Sequence, residues 1–280
     1  MTKTASRFAA GLAYERHGSG EPLVLVHGLG SDRRTWDLVA PALAERFDVI
    51  AVDLPGHGDS PALPRTEPAT PHRLARRVAA LVAELGLTSS AGEPPHVAGN
   101  SLGGWVALEL GADGQASSLT LLAPAGLWLH PSTRRNPAMR FNRVLAASTR
   151  PLHPILLKSQ LVRSIGLASG SARPAEVPYD VALAAARAQS DSTGYLAALD
   201  GTIGNRFDRA DDIAAGLPVT VLFGDRDRIL PAPGCQQRSL APADCRWLVV
   251  PHCGHAPQWD APGLVVREIE RTAAEPATSP

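Results

Sequence analysis

Short unbroken apolar runs alternate along this chain with longer segments whose apolar residues recur every three or four positions. The first pattern marks strands buried on both faces, the second amphipathic helices. Pro22-Leu23-Val24-Leu25-Val26-His27 is such a run, stopped by Gly28, and Phe47 to Val52, Pro95 to Gly99 and Ser118 to Ala123 are others. Between them, Arg33 to Glu45 places Trp36, Val39, Ala40 and Leu43 on one stripe, with Ser31 or Asp32 able to cap it. Pro71 to Leu85 does the same with Leu74, Val78, Leu81, Val82 and Leu85, and a further helix starts near Gly103. Strands and helices in strict alternation predict a mostly parallel sheet with right-handed crossovers.

The alternation lapses between Pro124 and Leu217. Helical spacing persists there, in Val181 to Gln189 and around Leu145, Ile155 to Leu157 and Leu161 to Ile165, without a convincing strand pair. Strands resume at Pro218 to Phe223 and Arg246 to Val250, and a helix near Gly263 to Ala273 closes the pattern. The expectation is an α/β core from residues 1–123 and 217–280, interrupted by a helical lid at 124–216 over the strand ends. The tail from Ala274 to Pro280 is expected to be unordered. The whole chain of 280 residues suits one large domain of this kind.

Charge removes one class of function. The 27 basic and 27 acidic residues cancel, so the chain has no electrostatic footprint for nucleic acid. The pairs Arg33-Arg34, Arg76-Arg77 and Arg134-Arg135 read as solvated helix surface. Three cysteines, Cys235, Cys245 and Cys253, are an odd number confined to the last part of the chain, which argues against a disulfide framework. No CxxC is present to suggest zinc. The first residues lead into no apolar stretch of signal-peptide length, and no run is long enough to span a bilayer. A cytoplasmic protein without integral membrane association is expected.

Gly99-Asn100-Ser101-Leu102-Gly103 carries the first chemistry. A chain that turns sharply from strand to helix forces the central residue into a strained conformation. Glycines two positions either side remove side chains that would collide across the turn. The Ser101 hydroxyl is then exposed at a helix N-terminus, where backbone N–H groups favour developing negative charge. A serine hydroxyl needs a base to become a nucleophile. His255, in Pro251-His252-Cys253-Gly254-His255-Ala256-Pro257 after the last strand, is preferred over His252, because Gly254 permits the close turn that aims the ring at the elbow. Phe223-Gly224-Asp225-Arg226-Asp227 offers two carboxylates to orient it. Asp227 would hold the tautomer and stabilise the cation; Asp225, nearer the strand end, would bind loop amides or Arg226.

These segments, with His27-Gly28-Leu29-Gly30, Asp53-Leu54-Pro55-Gly56-His57-Gly58-Asp59-Ser60 and Gly254-His255, resemble the α/β-hydrolase superfamily over roughly residues 20–123 and 217–272. The resemblance implies the order Ser101, Asp227, His255 for a catalytic triad. It implies an oxyanion hole made by the backbone amides of Leu29 and Leu102, with the His27 side chain supporting the loop. Gly28, Asn100 and Trp128 are assigned as substrate contacts. The implied reaction is hydrolysis of a small-molecule carboxylic ester through an acyl-enzyme, requiring no metal or organic cofactor, and no pattern demands an oligomer.

Two alternatives stay open. Asn100-Ser101 before Gly103-Gly104, with Gln258-Trp259 after the histidine loop, is similar to the carbon–carbon hydrolases of meta-cleavage pathways. Those place tryptophan directly after the triad histidine, where this chain has Ala256, and a Gly-Pro-Gly-like run where it has Ser31-Asp32-Arg33. In that case an arginine of the insertion (Arg134, Arg135, Arg140, Arg143 or Arg163) would bind the substrate acid. The other alternative is a ligand-binding protein on the same fold, for which three intact catalytic groups would be superfluous.

Overall fold

The computed structural model describes residues 6–132 and 137–276. Arg134, Arg135 and the last four residues of the expected tail lie outside the described residues. The strands are β1 (Arg7–Ala9), β2 (Leu12–His17), β3 (Glu21–Val26), β4 (Phe47–Val52), β5 (His96–Asn100), β6 (Ser118–Leu122), β7 (Val219–Gly224) and β8 (Arg246–Val250). The helices are α1 (Ala40–Leu43), α2 (Pro71–Glu84), α3 (Leu102–Ala112), α4 (Pro137–Thr149), α5 (His153–Leu156), α6 (Gln160–Gly166), α7 (Tyr179–Asp191), α8 (Tyr195–Gly201), α9 (Pro257–Asp260) and α10 (Pro262–Ala274). The strands form one sheet in the order β1-β2-β4-β3-β5-β6-β7-β8. From β4 to β8 every pairing is parallel, and β2 joins β4 antiparallel.

Both faces of the central strands are buried, as continuous apolar runs require. In β3, Val24 and Val26 pack toward α2 and α3, while Leu23 and Leu25 pack toward Trp36, Val39, Leu43 and α10. The register sets Val26 beside Val52 and Gly99, and Leu122 beside Asn100 and Leu222, so these strands end along one edge. The loops after β3, β4, β5, β7 and β8 all leave from it. This is the edge at which open parallel sheets present ligand sites.

Two local expectations are corrected, and one element went unread. The N-terminal hairpin β1–β2 was not legible as strand, since its Ala10-Gly11 turn lacks the usual signal even though both residues adopt positive φ (48° and 77°). The single helix expected over 33–45 is a one-turn 3-10 helix at Arg33–Trp36, then the short α1. Pro41 sits at the start of α1 and has no N–H to continue a helix from the preceding turn. Arg33, expected on a solvated surface, is 5% exposed. Its guanidinium donates to Asp53, to Glu15 Oε1 (3.0 Å) and to Asp59 Oδ2 (2.9 Å). Arg76 of the second pair is exposed as expected.

Between β6 and β7 the described residues form α4 to α8 and no strand. The second half of this insertion is pinned to the sheet edge: the Gly194 N–H donates to Gly56 O (2.8 Å), and the Ala256 N–H to Gly170 O (2.8 Å).

Candidate active site

Ser101 stands between β5 and α3 with φ 55° and ψ −117°, a conformation an L-residue adopts only when its surroundings impose it. A side chain at Gly99 would lie 2.2 Å from Gly103 O, and one at Gly103 would lie 2.1 Å from Val26 O. The flanking glycines therefore let α3 start directly against β5 and β3. Trp105, Val106 and Leu108 bury the body of α3, which fixes the turn.

The second loop closes on this elbow. A β-carbon at Gly28 would sit 3.1 Å from the Ser101 Cβ, so the backbone after β3 lies against the serine. Among the described residues, neither the Leu29 nor the Leu102 amide donates to a protein acceptor. His27 is buried; its Nε2 accepts from the Leu54 N–H (2.9 Å), which leaves the proton on Nδ1 to donate to Gly28 O (2.7 Å). Burial lowers its pKa despite nearby Asp53, so a neutral ring braces the loop.

His255 and Asp227 meet where β7 and β8 end. The His255 Nδ1–H donates to Asp227 Oδ2 at 2.8 Å, and both residues are buried. The other oxygen, Oδ1, accepts from the Ile229 and Leu230 N–H groups, both at 2.8 Å. Burial opposes the Asp227 charge, but the His255 hydrogen bond and charge with the two amides outweigh it and lower the carboxyl pKa. An ionised Asp227 leaves Nε2 of His255 as the free ring nitrogen. Among the described residues, Ser101 Oγ makes no hydrogen bond to it, a contact that commonly tightens only with substrate present.

The competitors lie elsewhere. Asp225 is exposed and accepts from the Cys253 N–H (3.2 Å), and exposed His252 accepts from Arg226 Nη2 (2.6 Å). Burial, with Asp260 and Asp225 nearby, pushes the Cys253 thiol up to about 12, too high to supply a thiolate near neutral pH.

Two assigned substrate contacts have other duties. Asn100 donates Nδ2 to Leu122 O and to His255 O, both at 3.0 Å, and accepts from Gln258 Nε2 at 3.2 Å. Its amide anchors the histidine loop. Trp128 packs edge-on to Trp105 (centroids 5.3 Å apart) and gives its N–H to Asn205 O (2.9 Å). Of the candidate arginines, the three among the described residues are engaged: Arg140 with Asp200 Oδ1 (2.8 Å), Arg143 with Ser192 O, and Arg163 with Leu157 O (2.6 Å).

Several residues with a part in the site carry no sequence signal. Asp260 accepts from the Gly254 N–H (2.7 Å), the Ala172 N–H (2.8 Å) and the Ser171 hydroxyl (2.5 Å), tying the histidine loop to the insertion. Tyr195, at the start of α8, lays its ring on Gly30, where a β-carbon would lie 2.7 Å away. Gly30, in the loop that carries the Leu29 amide, is thus roofed by the insertion. Beneath it, buried His57 donates Nδ1 to Pro55 O (3.1 Å), and burial and His27 push its pKa down to about 3.

Comparison with known proteins places the fold in a family. The model of the alpha/beta hydrolase family matches residues 23–268, and the chain belongs to that family. It is 33% identical over 256 residues to the dihydrolipoyllysine-residue acetyltransferase component of the acetoin cleaving system of Pseudomonas putida, covering 89% of this chain. The match spans 62% of that relative's length. A pimeloyl-[acyl-carrier protein] methyl ester esterase of Aeromonas hydrophila is 42% identical over 99 residues, 35% of each chain. A thermophilic esterase from Thermogutta terrifontis superposes with TM-score 0.72 at 23% identity, covering 98% of this chain and all of that one, a likeness of fold.

Proposed function

We propose that this chain hydrolyses carboxylic esters through a covalent acyl-enzyme, with Ser101, His255 and Asp227 as its triad. The observation that carries this reading is the convergence, on one sheet edge, of a strained serine, two unpaired amides and a histidine bonded to a buried carboxylate. His255 Nε2 takes the Ser101 proton as Oγ attacks the ester carbonyl. The amides of Leu29 and Leu102 hold the oxyanion; losing one such donor costs about 2.7–4 kcal/mol in a comparable enzyme. Collapse of the tetrahedral species expels the alcohol, protonated by His255. The same ring then deprotonates water as its oxygen attacks the acyl carbonyl. Collapse of this second tetrahedral species breaks the bond to Ser101 Oγ and releases the carboxylic acid, and His255 returns the proton to Oγ. Residues 124–216 act as the lid, with Tyr195 over the oxyanion loop. The esterase of Aeromonas hydrophila and the acetyltransferase of Pseudomonas putida both bear names that involve acyl groups, which supports acyl chemistry here.

Hydrolysis of p-nitrophenyl butyrate by the wild type and Ser101→Ala tests the reading. Turnover abolished by the substitution is the expected result. A folded wild type inert toward esters but active on a vinylogous diketo acid would replace it with carbon–carbon hydrolysis.

A further inference from the structure

The helices α4 and α6 are built inside out. With about 3.6 residues per turn, Phe141, Val144 and Leu145 fall on one stripe of α4. That stripe faces solvent: Phe141 is 64% and Val144 61% exposed. Arg140 flanks the stripe one turn before Val144 and Arg143 lies further round; both are half-buried and bonded, to Asp200 and to Ser192 O. In α6, Leu161 and Ile165 stand one turn apart and are 69% and 71% exposed, while Arg163 folds back onto Leu157 O. Neither helix buries a side chain, and Ile155 of α5 adds another exposed aliphatic group. Isolated exposed apolar residues need no explanation, but a helix whose apolar stripe faces outward does.

The charge around this stripe selects its occupant. From residue 137 to 167 the chain holds Arg140, Arg143, Arg150, Lys158 and Arg163, and no aspartate or glutamate. Arg140 and Arg150 pair with Asp200 and Asp191. The side chain of Lys158 is exposed and has no acidic partner among the described residues. A second copy docked symmetrically would set this basic face against itself. Outward aliphatic and phenyl groups beside an exposed lysine, on a segment whose cations outnumber their acidic partners, fit segments that lie in the interface of an anionic bilayer, where lysine stems snorkel to the headgroups.

We propose that the α4–α6 face docks peripherally on an anionic lipid surface, with Phe141, Ile155, Leu161 and Ile165 entering the headgroup boundary. This inference stands apart from the proposed ester hydrolysis, since binding is measured without turnover. The test is flotation of the full chain with phosphatidylcholine vesicles, with and without phosphatidylglycerol. Binding to the anionic vesicles at least about tenfold stronger than to the neutral ones, weakening as salt rises, is expected. The triple variant Ile155→Ser, Leu161→Ser, Ile165→Ser should bind at least about tenfold more weakly, and Lys158→Gln about fivefold. Unchanged melting temperatures would show that these variants fold. Equal binding to both vesicles would overturn the proposal, as would full binding by the triple variant. So would a solution dimer that the triple variant converts to monomer.

Discussion

The carboxyl edge of the sheet and the α4–α6 segment follow opposite rules. At the sheet edge, charged and amide groups are inside and paired: Asn100, Asp227, His255 and Asp260 are all at most 6% exposed, and each is hydrogen-bonded, while buried His57 Nε2 and Gln258 Oε1 have no partner among the described residues. In α4–α6, apolar groups are outside and arginines turn inward. Buried polar groups persist chiefly when paired, so the sheet edge must be rigid and specific to hold its geometry. Helices α4 and α6 owe little of their place to apolar burial, which leaves their outer face open to a role beyond the fold.

The sharpest way to break the comparison is to remove chemistry from the edge without disturbing either region. Ser101→Ala should lower ester turnover by about 10⁴-fold or more while leaving the fold intact. Asp227→Asn should cost about as much, because the wrong tautomer would then face Ser101. Steady-state kinetics with far-UV circular dichroism checks both.

The next effect concerns stability. Leu25, in the middle of β3, is fully buried, so Leu25→Ala should cost about 2–5 kcal/mol in urea unfolding. A comparable loss from Ile165→Ala would show that the insertion is packed like the core.

Acid should weaken the edge. His57 is neutral in the fold because its pKa is pushed down to about 3, while an unfolded histidine titrates near 6.5. Its contribution is therefore complete above about pH 6.5 and is lost as pH falls, because the unfolded chain binds the proton first. Between pH 7 and pH 5 that amounts to about 2 kcal/mol. Asp227, also depressed, adds to the loss only below its unfolded value near 3.9. Urea unfolding across this range should show the slope, to which buried His27 adds in the same direction, and His57→Asn should reduce it.

The smallest expected effect is at the outer face. Ile165→Ala should change stability by no more than about 0.5 kcal/mol, since the side chain is 71% exposed.

What could be read from sequence follows the same division. Strands buried on both faces announce themselves as continuous apolar runs, so β4 and β8 fall where the pattern places them. The elbow was legible because steric demand dictates glycine at positions 99 and 103. The hairpin β1–β2 was not, since its turn uses Ala10 at positive φ. The partners of Asn100 were not legible, because sequence proximity to Ser101 says nothing of side-chain direction; its amide turns toward His255 O. The partners of Arg33 were hidden for a similar reason, as Glu15 comes from β2 and Asp53 and Asp59 from the loop after β4. In α4 the periodicity correctly marks an amphipathic helix, but it cannot say which medium the apolar stripe faces.

The most direct test of the central claim is to treat the protein with a fluorophosphonate and locate the adduct by mass spectrometry. The reagent forms a phosphorus–oxygen bond to an activated serine and releases fluoride. The account predicts one adduct, on Ser101, whose formation is lost in Ser101→Ala and slowed strongly in His255→Ala. A folded wild type that remains unlabelled, or a label on another residue that persists in Ser101→Ala, would contradict it.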